Sequence, residues 1–236
     1  MPKVARSESA PANRLLAALP PRQLETLLPL MTHTTLGHRE PIYGRHDTIR
    51  NVHFPLTGII SLVSTNDGGV VEIATVGNEG MVGLPVFLGT DLASLDAFVQ
   101  VPGESLRLKA ADLRRHVRNG GRLFEVLQRY TQALLQQISQ SVACNRLHSL
   151  ENRCARWLLM THDRVEGDEF SLTQEFLGQM LGVRRPQVSL AASALQRDGL
   201  ISYTRGRIAI VDRLGLEAVS CECYRAVREE YERLMQ

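Results

Sequence analysis

Hydrophobic residues in this chain change period several times, and each change predicts a different kind of element. Between Leu15 and Leu30 (LLAALPPRQLETLLPL) they form two short helical turns broken by Pro20-Pro21. From Thr32 to about Leu108 the helical period disappears. Short β-prone runs follow one another at Ile42-Tyr43, Val52–Phe54, Gly58–Val63, Val70–Val76, Phe98–Val101 and Ser105–Leu108, with Gly, Asp-Gly-Gly and Pro-Gly between them. Many short strands with such turns predict a β-sandwich or jelly roll, and Asn66-Asp67-Gly68-Gly69 is its clearest hairpin turn. A helical pattern returns over Ala110–Val117 and breaks at Asn119-Gly120-Gly121. It resumes in a long helix where Leu123, Leu127, Tyr130, Leu134 and Ile138 step by four or three. That narrow stripe fits a coiled-coil seam, and it fits equally a helix packed on its own barrel. Leu150–His162 predicts an amphipathic helix with Leu150, Cys154, Trp157, Leu158 and Thr161 inward. Leu214–Leu234 predicts a terminal helix with Cys223, Val227, Tyr231 and Leu234 on one side.

Between Ser171 and Val211 the pattern is most specific. Thr173 or Ser171 offers a side-chain oxygen to cap a helix, and Phe176, Leu177, Met180 and Leu181 then give it one apolar face. Gly182 suits a tight turn between two helices, with Val183 as its apolar plug. In the second helix Val188, Ala191, Ala192 and Leu195 face inward, and Pro186 is tolerated in the first turn, where no intrahelical N–H bond is lost. Leu200–Tyr203 and Ile208–Val211 flank Thr204-Arg205-Gly206-Arg207 as a hairpin. Helix, turn, helix and hairpin make a winged helix-turn-helix, whose second helix presents its N-terminal residues to base edges in the major groove. Arg184, Arg185, Gln187 and Ser189 stand at that place. Arg pairs with guanine, Gln with adenine and Ser with either. Arg205 and Arg207 at the hairpin tip are placed for phosphates. A reader of this kind works as a dimer, which favours a self-pairing role for the long helix.

Composition narrows the picture without changing it. The chain has 236 residues, 44% hydrophobic and 22% charged, as expected of a folded globular protein. A net charge of +2 confines any nucleic-acid surface to a local patch. No apolar run is long enough to span a membrane. The opening MPKVARSESAPANR lacks the apolar core of a signal peptide, so residues 1–14 are expected to be a disordered leader and the address cytoplasmic. The expected division is then a β-roll over 15–118, a dimerisation helix over 119–145 and the DNA-binding domain over 146–236, an α+β chain.

Other chemistries find less support. Cys144, Cys154, Cys221 and Cys223 lack the paired spacing of a zinc site, and a cytosolic chain keeps its thiols reduced. Cys221-x-Cys223 reads as two thiols on different faces of a helix. No metal or other cofactor is predicted. A jelly roll can also be a metal-dependent cupin-like enzyme, which gathers two His and a Glu on neighbouring strands. Here His33, His38, His46 and His53 are scattered, and no Ser/His/Asp set, P-loop or carboxylate pair stands out. A non-enzymatic regulator is the expectation.

In the order β jelly roll, long helix, winged helix-turn-helix, the chain resembles the Crp/Fnr transcription regulators from about Leu15 to Glu217. The resemblance is carried by Ile42-Tyr43, by His53–Gly58 (HFPLTG), by Gly77–Gly83 (GNEGMVG) and by Arg153–Leu159. It is most specific from Leu172-Thr173-Gln174 through Leu181-Gly182-Val183-Arg184-Arg185. It implies a cyclic-nucleotide-binding-like β-roll, a homodimer and an inverted-repeat site on double-stranded DNA. RNA polymerase and an unknown small-molecule effector are the further partners it admits. By resemblance, Arg185 reads a guanine and Thr173, beside Gln174, binds phosphate. The family's next position is commonly Glu, which accepts from cytosine, but here it is Pro186, and a later family Arg falls on Leu190. The reading code should therefore differ from the family's usual one.

The sensory half departs further. Cyclic-nucleotide binders of the family carry Gly-Glu and, some ten residues on, Arg-Ser or Arg-Thr; the matching positions here are Gly83-Leu84 and Ala93-Ser94. No Lys or Arg occurs from Asn51 to Ser105. A buried anion needs a positive partner or oriented N–H donors. Only the turn containing Gly77, Glu79 and Gly83 offers a backbone nest. The expectation is an effector pocket at Gly77, Glu79, Gly83, Leu84, Ala93 and Ser94 that does not take cyclic AMP, or a β-roll that is a ligand-free scaffold. Iron–sulfur relatives carry cysteines mostly near the N-terminus, and this chain has none before Cys144. Spare histidines do not make a haem site.

Overall fold

The computed structural model describes residues 12–67 and 69–234. Most of the expected leader (1–11) and Gly68 of the expected hairpin turn lie outside the described residues. The end of the leader is corrected. Asn13 is fully buried, its Nδ2 donating to the carbonyls of Pro55 and Gly80 at 2.9 Å each, while its Oδ1 caps helix α1 (Arg14–Ala17). Helix α2 (Pro21–Leu27) and a 3₁₀ turn (Leu28–Leu30) follow.

Seven strands then form two antiparallel sheets. They are β1 (Thr32–Leu36), β2 (Pro41–Tyr43), β3 (Asn51–Pro55), β4 (Ile59–Asn66), β5 (Gly69–Val76), β6 (Asp96–Val101) and β7 (Gly103–Lys109), with the short helix α3 (Leu84–Phe87) between β5 and β6. One sheet runs β1-β7-β3 and the other β2-β6-β4-β5. Alternation supplies their shared core: Val52, Phe54 and Leu108 from the first meet Ile60, Leu62 and Val99 from the second. The β4–β5 hairpin closes by pairing Asn66 with Gly69. Strand β1 was not expected. Its sequence THTTL buries only Leu36, so an edge strand with no apolar alternation left no pattern to read.

Helix α4 (Ala110–Val117) leads into α5 (Arg122–Leu147), 26 residues long. The stripe expected to pair with a second copy is corrected. Leu123, Leu127 and Tyr130 are fully buried within their own chain, Leu134 nearly so, and Ile138 is half-buried. They lie against the β-roll, where the Tyr130 hydroxyl donates to the Met81 carbonyl at 3.0 Å. A Cβ on Gly80 would fall 2.7 Å from the Tyr130 ring, so only glycine lets the tyrosine in. Of the two readings the stripe allowed, packing on its own barrel is the one observed.

Helix α6 (Leu150–His162) begins the C-terminal part. It is followed by β8 (Glu169–Ser171), α7 (Gln174–Leu181), α8 (Arg185–Arg197), β9 (Ile201–Thr204) and β10 (Arg207–Ile210). The expected terminal helix is two, α9 (Arg213–Val219) and α10 (Cys223–Leu234), because Ser220 turns extended (ψ 155°). Cys223, Val227 and Tyr231 face inward from α10, while the side chain of Leu234 lies outside the described residues. Helix α10 lies along α5, where the Tyr231 hydroxyl donates to Gln137 Oε1 at 3.0 Å. No helix among the described residues is long and apolar enough to cross a membrane.

Candidate nucleic-acid interface

The candidate surface is built by caps and turns. Thr173 Oγ1 accepts the Phe176 N–H at 3.1 Å and starts α7, whose buried Phe176, Leu177, Met180 and Leu181 fix its inner face. Gly182 (φ 65°) ends it in the left-handed region. One glycine was overlooked in the sequence: a Cβ on Gly178 would sit 2.9 Å from the Val183 carbonyl oxygen, so the two helices cross closely only without it. Arg184 caps α8, its N–H donating to Gln187 Oε1 at 3.2 Å. Val188, Ala191, Ala192 and Leu195 anchor α8 in the core.

Strands β8, β10 and β9 form the wing sheet in that order. Thr204 pairs with Arg207, leaving a two-residue turn in which both Arg205 (φ 50°) and Gly206 (φ 78°) take positive φ, the geometry that matches the twist of a hairpin. The Leu172 N–H donates to the Gly206 carbonyl at 2.8 Å, which ties the wing tip to the start of α7. Thr173 and the Arg205-Gly206 turn are therefore neighbours.

Exposure sorts the residues singled out in the sequence. Thr173, Arg184, Arg185, Gln187, Arg205 and Arg207 are exposed, and Gln174 and Ser189 are half-buried. Among the described residues no carboxylate pairs with Arg184, Arg185 or Arg205. Arg207 differs, since Glu169 on β8 holds its Nε. Gln187 also differs from the expectation. Its carbonyl oxygen is occupied by the cap, and two-point pairing with adenine would require giving that bond up.

The six residues expected to form an effector pocket do not present one set of ligand groups. Glu79 is buried and turned into an ion pair with Arg164 (2.9 Å), and it also accepts the Gly77 N–H at 3.1 Å. Gly83 caps α3, Leu84 packs against the core, Ala93 is buried in it, and Ser94 is at the surface. Tyr130 fills the space beneath the Gly77–Gly83 turn. The pair Glu79–Arg164 joins the β-roll to the loop after α6, and it is one of several such bonds. Trp157 Nε1 donates to Glu72 Oε1 at 2.8 Å, and Gln100 Nε2 donates to Thr161 Oγ1 at 3.3 Å. Phe98 meets Phe176 edge-on at 6.0 Å. Burial pushes the Glu72 carboxyl up to about 7, against the hydrogen bonds from Ser61 and Trp157 and the nearby Arg156 and Arg164 charges. His53, half-buried on β3, is pushed down to about 4 by burial and by Arg107.

Sequence reasoning missed one group of side chains. Cys144 near the end of α5, His148 just past it, Cys221 and Cys223 bring their ligand atoms within 4.8 Å of one another. The two thiols of Cys221-x-Cys223 do not lie on different faces of a helix, because the chain breaks between α9 and α10 and both turn to Cys144. A signal was present: Cys144-x₃-His148 has the i, i+4 spacing that places two side chains on one helical face. Pairing of cysteines alone could not find it.

Residues 152–219 match the family model of the Crp-like helix-turn-helix domain. Among solved structures, FixK2 from Bradyrhizobium japonicum superposes with a TM-score of 0.69 at 20% identity, covering 81% of this chain and 98% of that one. A Crp/Fnr-family regulator from Eubacterium rectale gives 0.68 at 15% identity, covering 85% and 94%. A CRP-family transcriptional regulator from Thermus thermophilus gives 0.65 at 19% identity, covering 79% and 96%. Compared by sequence with curated proteins, the chain has no significant match. The fold and the matched segment define a chain with a winged helix-turn-helix domain. Its helix-turn-helix domain is Crp-like, and its architecture is similar to that of these Crp/Fnr-family structures.

Proposed function

We propose that the protein is a homodimeric, sequence-specific transcription regulator acting in the cytoplasm on an inverted-repeat DNA site. The observation that carries this reading is the start of α8. Arg184 and Arg185 stand there exposed and unpaired by any carboxylate among the described residues, where base edges would lie. Arg185 is assigned the guanine contact, Arg184 and Ser189 flanking base contacts, and Thr173, Gln174, Arg205 and Arg207 the backbone. Gln187 contributes its amide NH₂.

The dimer runs along the outer face of α5. Leu135 (55% exposed) and Val142 (67%) continue the seven-residue spacing that begins at Gln128. Two copies bring two reading helices to half-sites one helical turn apart, about 34–36 Å. RNA polymerase is the remaining partner of a regulator that acts from such a site. The β-roll does not bind cyclic AMP, for three reasons: no Lys or Arg stands between Asn51 and Ser105, Glu79 is committed to Arg164, and Tyr130 occupies the space under Gly80.

Selection of bound sequences from a random DNA library by the full chain tests this. A two-fold motif with half-sites one turn apart is expected. Binding of equal strength to all sequences, or to an unpaired half-site by a monomer, would overturn it.

A further inference from the structure

We propose that Cys144, His148, Cys221 and Cys223 form a tetrahedral site for a thiophilic divalent cation, and that zinc is the cation it fits. Three observations carry this. The first is geometry. Cys144 Sγ and Cys221 Sγ are 3.4 Å apart, Cys223 Sγ and His148 Nδ1 are 3.5 Å apart, and all four donors lie within 4.8 Å of one another. Zinc bonds of about 2.3 Å to sulfur and about 2.0–2.1 Å to nitrogen place tetrahedral donors roughly 3.5–3.8 Å apart, so donors as much as 4.8 Å apart need shifts of about an ångström. Three thiolates with one imidazole are a ligand set of structural zinc, and soft sulfur disfavours magnesium or calcium.

The second observation lies just outside the donors. His148 turns Nδ1 to Cys223 and Nε2 to Glu222 Oε1, at 3.3 Å. A carboxylate on Nε2 holds the proton there and leaves the Nδ1 lone pair for a cation. Gln140 Nε2 donates to Cys223 Sγ at 3.0 Å.

The third is charge. Three thiolates around a dication leave one net negative charge in a buried place. The Arg156 guanidinium, itself buried, faces Cys144. It donates from Nη2 to Ser141 Oγ at 2.7 Å and keeps Nε without a partner. Cys154 shows the alternative within the same chain: it is fully buried in the hydrophobic core, apart from the cluster, where a thiol serves as a small apolar side chain.

The cation would join the end of α5 to the start of α10, at the joint between the long helix and the DNA-binding domain. Its loading would fix how those two helices meet.

The test is titration of the full chain, reduced and stripped of metal under anaerobic conditions, with cobalt(II) and then zinc(II). One equivalent of cobalt should bind with the thiolate charge-transfer absorption and strong d–d bands of a tetrahedral, sulfur-rich site, and one equivalent of zinc should displace it. Cys221→Ser and Cys223→Ser should lose most of that absorption, Glu222→Ala should weaken binding about 10–100-fold, and Cys154→Ala should leave it unchanged. The proposal falls if the unaltered chain gives no tetrahedral cobalt spectrum, a result that depends on no variant folding. It falls equally if the Cys221→Ser/Cys223→Ser double variant keeps the spectrum. A reduced chain that takes up neither ion and instead closes a Cys144–Cys221 disulfide on mild oxidation would also overturn it.

Discussion

The wing-side surface and the joint behind it are built from the same kinds of side chain and use them in opposite ways. On the surface, Arg184, Arg185 and Arg205 are held by the backbone of a cap or a turn and have no carboxylate partner among the described residues. At the joint, Arg164–Glu79 and Trp157–Glu72 tie the C-terminal part to the β-roll and Tyr231–Gln137 ties α10 to α5, over sequence distances of up to 94 residues. The contrast separates recognition from support. A cation left without an anion at an exposed helix start is available to DNA, whereas one buried against a glutamate is already satisfied and holds two domains in register.

Breaking the joint should therefore have the largest effect. Arg164→Ala leaves Glu79 buried and unpaired, a loss of about 3–5 kcal/mol. Chemical denaturation should show that loss, and the double variant Glu79→Met/Arg164→Met should lose less than either single change. The two faces of α5 sharpen the same contrast. Leu134→Ala should cost about 2–5 kcal/mol of stability, since it opens a cavity in the chain's own core. Leu135→Glu should leave the monomer's stability nearly unchanged and dissociate the proposed dimer, as light scattering would show.

A smaller effect should follow pH. The Glu72 carboxyl is raised to about 7, above its value in the unfolded chain. Below the unfolded value both states hold the proton, and the contact has its full strength. As pH climbs toward about 7 the unfolded chain ionises first, so the folded state loses roughly 1–3 kcal/mol across that window. Glu72→Gln should flatten the dependence while keeping an acceptor for the indole. Trp157, the chain's one tryptophan, reports the change by its fluorescence.

How much of this could be read in the sequence follows the same division. Thr173, Gly182, Pro186 and the Arg205-Gly206 turn act locally, through a cap, a left-handed turn, a first-turn proline and a two-residue hairpin, so the winged helix-turn-helix was legible. Helix α6 and the six β-prone runs were legible for the same reason, since alternation and helical period are local. The joint was not. Whether Leu123, Leu127 and Tyr130 face a second copy or their own barrel depends on Gly80, some fifty residues away, leaving room for an aromatic ring. Glu79 looked like part of a pocket because nothing near it in sequence announces Arg164. The cysteine and histidine cluster was hidden in the same way, by the unforeseen break at Ser220 and by the 77 residues between Cys144 and Cys221.

The central claim, that the start of α8 reads bases while the wing holds the backbone, is tested most directly by competition binding over a randomised operator library at two salt concentrations. Arg185→Ala should lose about 1–3 kcal/mol of discrimination at one base pair of each half-site and keep the rest of the motif. Arg205→Ala should weaken all sequences alike and lower the salt slope by about one, and Arg207→Ala should do less, because Glu169 already holds that guanidinium. If Arg185→Ala instead weakens every sequence equally and leaves the preferred motif unchanged, Arg185 is a phosphate contact and the assignment of base reading to it is wrong.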